Sequence, residues 1–178
     1  MYRGTGAYDP EAAIGGGTPA NWSEISSNYQ YYTCTSSSIR VTIRPTGSLA
    51  SSTAAIITFP MLEVILIPQA SAQWYNANDL DKLLQLRPGN LKRRFIRLNA
   101  LAGGSRSVTL KMATNFGRVW QHKPISYERL AGVSSTPVQD FFWGVYFRTH
   151  PGLEPSWPYE VETRLNYRVK FRRVADMK

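Results

Sequence analysis

The stretch from Glu160 to Arg173, EVETRLNYRVKFRR, alternates between apolar and polar residues along nearly its whole length. This period of two predicts a β-strand with one apolar and one charged face. Most strands run about five or six residues, so one this long needs an extended partner sheet to satisfy its backbone groups. The polar face ends in a row of three cations, Arg168, Lys170 and Arg172. These like charges repel one another unless an anion or an acidic partner lies opposite.

The rest of the chain contains further strand patterns separated by turn residues and by long irregular segments. Two short helices are predicted, one capped by Asn21 with Glu24 in its first turn, and one at Asn78–Leu86. The segment Phe116–Val138 is predicted to be irregular, with one short strand around Val119. The remaining predicted strands are Ser38–Pro45 with a lead-in from Tyr31 to Cys34, Ile56–Ile67, Leu91–Leu98, Val108–Met112 and Phe141–Thr149.

This pattern predicts an all-β fold. Many strands joined by turns rich in Gly, Pro and Ser indicate a sandwich or a barrel. The long strands and uneven loops favour a jelly roll over an immunoglobulin sandwich. The nearly all-apolar strand Ile56–Ile67 is expected to be buried on both faces or to lie at a subunit contact.

Charge and cysteine content narrow the class of protein. The 178 residues suit one domain, and 21 Lys+Arg against 12 Asp+Glu give a formal charge of +9. This balance favours a polyanionic partner. The only cysteine, Cys34, excludes an intrachain disulfide and a cysteine metal cluster. No apolar run reaches the length of a membrane span and no secretory signal is evident, which favours a soluble protein of intracellular origin.

No set of residues from which to assemble a catalytic mechanism is present in the sequence. The two histidines, His122 and His150, are far apart, and no nucleophile elbow occurs. Glu160 and Glu162 share a strand face, but offsetting nearby arginines explains them better than acid–base catalysis. We therefore expect no enzyme activity, no metal and no cofactor.

Several motifs occur in an order that resembles one protein family. They are Tyr8-Asp9-Pro10 before a glycine-rich coil and Pro19; Trp22, Tyr29 and Tyr32 before Ser38-Ile39-Arg40-Val41; Arg87-Pro88-Gly89; Leu110-Lys111 leading to Asn115-Phe116-Gly117; Phe142-Trp143; and Asn166-Tyr167-Arg168-Val169-Lys170-Phe171. In this order they resemble capsid proteins of small circular single-stranded DNA viruses that encode a replication protein, the circovirus-like group. The similarity spans nearly the whole chain.

The resemblance implies a single viral jelly roll, residues 1–178, with two packed four-stranded antiparallel sheets. It implies self-assembly of about sixty copies into a small icosahedral (T=1) shell around circular single-stranded DNA. Assembly would take place in the host nucleus, and the protein would reside in the virion. Such proteins usually begin with an arginine-rich arm and a first strand. Because Met1 falls where that strand should end, both are expected to be missing from this sequence.

Two sets of residues are predicted to carry these functions. Cations on strands whose other face is core are expected to contact DNA phosphates: Arg40, Arg44, Lys92, Arg93, Arg94, Arg168, Lys170 and Arg172. Aromatic residues in the irregular segments are expected at subunit interfaces: Trp74, Tyr75, Trp120, Tyr127, Trp157 and Tyr159.

Two alternatives remain open from the residues alone. One is a non-viral β-sandwich module that binds an acidic or carbohydrate ligand. The other is a jelly-roll enzyme of the cupin type, although this chain lacks the clustered histidines that such metal sites use. Formation of particles separates the first alternative from a capsid protein, and added metal tests the second.

The alternation in the last strand predicts that Val169→Asp prevents folding. An unpaired carboxylate on the buried face costs several kcal/mol. The check is expression of the variant followed by electron microscopy for particles. A soluble, fully assembled Val169→Asp protein would contradict the predicted register.

Overall fold

The computed structural model describes residues 1–11, 17–45, 61–86, 90–97, 107–120, 130–149 and 159–173. Strands dominate these residues and the helices are short. The elements in chain order are β1 (Tyr2–Arg3), α1 (Trp22–Ser26), β2 (Tyr31–Pro45), β3 (Met61–Gln69), α2 (Ala77–Leu86), β4 (Lys92–Arg97), β5 (Val108–Asn115), α3 (Phe116–Trp120), β6 (Leu130–Gly132), β7 (Phe142–Thr149) and β8 (Tyr159–Arg172).

The strands form two antiparallel four-stranded sheets. The first sheet has the order β1-β7-β3-β4. In the second sheet, β2 pairs with β8 over its full length on one side and with β5 and then β6 on the other. The predicted all-β class with two such sheets is confirmed, and the arrangement is consistent with a jelly roll.

The two sheets enclose one main core. Ile39, Val41 and Ile43 of β2 are at most 1% exposed and belong to one cluster with the apolar residues of β3. Arg40 and Thr42 alternate with them and are only partly buried. Trp22 and Leu110 are also buried. Four further apolar residues are half-buried against the clusters: Val145, Tyr167, Val169 and Phe171.

Strand β3 is buried on both faces, as its apolar run predicts. Leu62, Val64 and Leu66 contribute to the main core, while Ile65 and Ile67 form a second cluster with Leu80 of α2. The helix therefore covers the outer face of the first sheet. Residues 56–60 of the predicted strand, including its proline, lie outside the described residues.

Three local predictions are wrong. Val119 lies in helix α3, which begins after Asn115 because the Asn115 side chain accepts a hydrogen bond from the Arg118 backbone N–H at 3.0 Å. Leu130–Gly132, predicted irregular, is a strand because it pairs with the start of β2. Asn21 makes no side-chain capping bond; its backbone is left-handed, with φ 65°.

The N-terminal segment is held to the start of β7 by a buried carboxylate. Asp140 is 8% exposed and accepts hydrogen bonds from the Thr5 backbone N–H at 2.8 Å and from the Thr5 hydroxyl. Burial raises the pKa of Asp140, and the Thr5 bonds and the nearby Arg3 guanidinium offset this only in part. The other carboxylate oxygen, Oδ2, has no hydrogen-bond partner and only a long ion pair to Arg3 at 3.9 Å, so its loss of water is compensated only in part.

This environment predicts a pH dependence of stability that Asp140→Asn removes. A carboxyl whose folded pKa is raised stabilises the fold most below its unfolded pKa of about 3.9, and this contribution is lost as pH rises through the folded pKa. The asparagine stays neutral and keeps an oxygen acceptor for Thr5. In urea unfolding across a pH series, the free energy of unfolding of the variant should exceed that of the parent above that window.

The matched control is Glu160→Gln, which neutralises an exposed carboxylate on β8. It measures the effect of losing one negative charge away from Asp140. If Asp140→Asn and the parent show the same pH dependence, the buried carboxylate is not the group that titrates.

Candidate nucleic-acid interface

The outer face of the second sheet is an open, basic surface. Where β2 and β8 run side by side, the polar residues of both strands lie on this face, and those of β8 are exposed from Arg164 to Arg172. We call it the basic face. Among the described residues it carries two carboxylates, Glu160 and Glu162, and seven cations: Arg40, Arg44, Lys111, Arg164, Arg168, Lys170 and Arg172.

Strand register aligns three of these cations across three neighbouring strands. Arg40 of β2 lies directly opposite Lys111 of β5 on one side and Arg164 of β8 on the other. We call these three residues the cation row. The row lines a surface depression of about 660 Å³, to which Lys92 of β4 adds a fourth cation.

Among the described residues that line the depression, none is acidic. Within the described ranges, no salt bridge involves Arg40, Lys92 or Lys111. Like charges placed directly opposite on neighbouring strands are destabilising. An anion bound in the depression would relieve this repulsion.

Glu162 borders the row at its β8 end. Its Oε1 lies 2.6 Å from Nη2 of Arg164, and its Oε2 lies 3.0 Å from Nη2 of Arg44. Hydrogen bonding to Arg164 lowers the pKa of Glu162. A general acid needs a raised pKa, so the carboxylate of Glu162 is suited to offsetting arginines and not to donating a proton.

The three cations at the end of β8 occupy the other end of the basic face. Arg168, Lys170 and Arg172 are exposed, and their neighbours across the strand pair are the uncharged Ser36, Thr33 and Tyr31. In the part of the chain that the structure describes, none of the three forms a salt bridge. These three β8 side chains are therefore free to contact phosphate groups.

The structure divides the predicted DNA-binding set among different surfaces. Arg93 and Arg94 lie on β4 of the first sheet, where Arg93 is 3.9 Å from Glu63 and 5.9 Å from the centre of the Phe95 ring. Arg44 is on the basic face, but Glu162 and Glu160 offset its charge. Of the predicted cations, only Arg40 and Lys92 come together in the depression.

Two residues of the depression, Lys111 and Arg164, are absent from the predicted set. Both stand at polar positions of alternating strands, so the signal was present in the sequence. Their alignment with Arg40 depends on the register of three strands, which the sequence pattern does not specify.

The predicted interface aromatics have different environments. Trp74 is 56% exposed and contacts Tyr146 edge-on. Trp120, by contrast, is half-buried and donates a hydrogen bond from Nε1 to the Asp140 carbonyl at 3.2 Å. Tyr75 and Tyr159 pack onto the subunit's own clusters. Tyr127 and Trp157 lie outside the described residues.

Reactive groups are few in the described ranges. Burial raises the pKa of Cys34 to about 12, and its side chain is 1% exposed. No three residues of the metal-binding types cluster within the ranges described. Both histidines fall outside those ranges. No helix among the described elements is long and apolar enough to cross a membrane.

Comparison with known proteins gives no match: no family model, no curated protein and no solved structure is similar to this chain at a significant level. The inference about function therefore depends on the sequence motifs and on the geometry of the basic face.

We expect replacement of Arg168, Lys170 and Arg172 by Gln to flatten the salt dependence of DNA binding. Each phosphate contact releases condensed counterions, so the slope of log K against log salt should fall by up to about three units. The measurement is binding of unrelated single-stranded oligomers across a salt series.

The control is Lys82→Gln, which removes a positive charge from α2, outside the predicted DNA-binding set. It separates a local contact from an effect of overall charge. An unchanged slope in the soluble β8 variant would contradict DNA binding through these residues of the basic face.

Proposed function

We propose that the chain is the structural subunit of a small icosahedral shell that encloses circular single-stranded DNA. The observation that carries the proposal is the basic face: seven cations against two carboxylates on one open sheet surface. A shell protein must accept any sequence, and contacts to phosphates meet that requirement because they carry no sequence information.

The two-layer fold supports the same proposal. Helix α2 packs on the outer side of the first sheet, where Arg148 bridges Glu63 at 2.6 Å and also pairs with Asp81 of the helix. The outer face of the second sheet has no such cover, and its β8 cations are exposed. An open basic sheet face on one side of a two-layer subunit is suited to face an enclosed polyanion.

The family resemblance supplies the finer parts of the proposal. On that basis the partners are about sixty copies of the chain itself and viral single-stranded DNA. The protein would act in the virion, after assembly in the host nucleus. Its role is structural, and no catalytic step is assigned to it.

Electron microscopy of the expressed protein tests the proposal. Uniform small shells that protect single-stranded DNA from nuclease are the expected result. Monomers or small oligomers in sedimentation, at any salt concentration that keeps the protein soluble, would overturn it and favour the sandwich module that binds an acidic or carbohydrate ligand.

We expect Trp74→Ala to leave a folded subunit that assembles poorly. The ring is more than half exposed, so the subunit loses little on truncation, whereas an aromatic anchor in an interface commonly contributes 2 kcal/mol or more, to order of magnitude. Assembly is measured by sedimentation, and folding by urea unfolding. Trp120→Ala is a weaker test because that side chain is bound into its own subunit.

Ile25→Ala is the matched control, since Ile25 of α1 is also an exposed large apolar residue, at 47%, but lies outside the predicted interface set. It should assemble as the parent does. If Trp74→Ala also forms normal shells, Trp74 is not an interface anchor.

A further inference from the structure

A second cavity adjoins the depression beneath the cation row. It has a volume of about 160 Å³ and lies between β5, β3 and the two flanking helices α2 and α3. Its lining is mixed. Leu83, Leu91, Met112 and Val119 contribute apolar side chains, and the polar side chains are those of Gln69, Tyr75, Asn90, Thr114 and Arg118.

The cavity and the depression share a wall. Met112 and Ala113 of β5 line both of them. On the β4 side, Leu91 lines the cavity and the next residue, Lys92, lines the depression. The cavity and the four-cation surface therefore adjoin each other along β5.

The volume of the cavity limits its occupant to a small ring. Pockets for drug-sized ligands enclose roughly 300 Å³ or more. A cavity of about 150 Å³ accommodates a molecule the size of benzene. The space thus fits one six-membered ring and is too small for a fused two-ring base in the same position.

The polar residues of the cavity suit a base with several hydrogen-bonding groups. Asn90 carries both an amide donor and an amide acceptor, and Arg118 carries guanidinium donors. A pyrimidine presents carbonyl acceptors and a ring nitrogen on one edge. Apolar side chains against its faces and polar groups at its edge are the usual way that proteins hold an unpaired base.

We propose that the depression and the cavity together bind one pyrimidine nucleotide unit of a single strand. Backbone phosphates lie on Arg40, Lys111, Arg164 and Lys92, and the unpaired base enters the cavity beside Met112. This inference rests on the proposed function, because it specifies which part of the enclosed DNA the basic face recognises.

The arrangement discriminates against duplex DNA. In a duplex the bases are paired and stacked, and one would have to be extruded at a cost of a few kcal/mol before entering the cavity. A free phosphate would satisfy the cations but would leave the cavity unused. The occupant that uses both parts of the site is a single strand.

The test compares four short ligands on the folded subunit by calorimetry. They are a thymidine tetramer, a tetramer of abasic units with the same phosphates, an adenosine deoxynucleotide tetramer and a short duplex. We expect the thymidine tetramer to bind about tenfold more tightly than the abasic one, in line with the contribution of a single held base. The adenosine tetramer and the duplex should bind more weakly than the thymidine tetramer.

Two variants locate the two halves of the site. Arg40→Gln with Lys111→Gln should lower the salt slope for all four ligands by about one to two units. Val119→Phe fills the cavity and should reduce the ratio of the affinities for the thymidine and abasic tetramers to nearly one. The control is Val138→Phe, the same substitution at a position that is 87% exposed, and it should keep that preference.

Equal binding of the thymidine and abasic tetramers by the parent protein would overturn the inference without any variant. So would a Val119→Phe protein that folds and keeps the preference. Because base binding is measured on the subunit, failure of this inference can be distinguished from failure of the proposed function. If shells form but no base preference is found, the proposed function stands and the base site does not. If a base preference is found but no shells form, the base site stands and the proposed function does not.

Discussion

The pairing of β2 with β8 is the interaction on which the rest of the structure depends. It runs from Tyr31 opposite Arg172 to Pro45 opposite Tyr159. It places a continuous apolar surface towards the core and a continuous charged surface on the other side. Because the side chains of a strand alternate, a slip of one residue would exchange these surfaces. The positions of the β2 and β8 cations on the basic face follow from this one register.

A β-bulge keeps that register compatible with the core. The pairing shifts between Cys34 and Ser36, where Thr35 is the additional residue and its hydroxyl donates to the Arg168 carbonyl at 3.1 Å. Before the bulge the even positions of β2 are buried, as at Tyr32; after it the odd positions are, as at Ile39. An extra residue in one strand is how a sheet corrects such a change of phase.

The bulge also explains how far the sequence allowed the fold to be predicted. Strand β8 has an unbroken alternation, so its existence and its two faces could be predicted from the residues. Strand β2 changes phase, and its first part therefore looked like a lead-in instead of a strand. Only half of the candidate site could be predicted from the sequence, for a related reason. Arg40 and Lys92 were predicted as DNA-binding cations, but their proximity to Lys111 and Arg164 depends on strand pairing. The pairing of β6 likewise depends on a partner distant in sequence.

Burial of Cys34 under the same strand pair has a consequence for redox behaviour. Oxidants and disulfides react with the thiolate, and a pKa raised to about 12 leaves almost none of the thiol ionised at neutral pH. The side chain is also 1% exposed, which denies access to the sulfur itself. An exposed, ionised thiol would cross-link two chains through sulfur on contact with air. With its single thiol unreactive, the folded chain passes between reducing and oxidising surroundings without a covalent change.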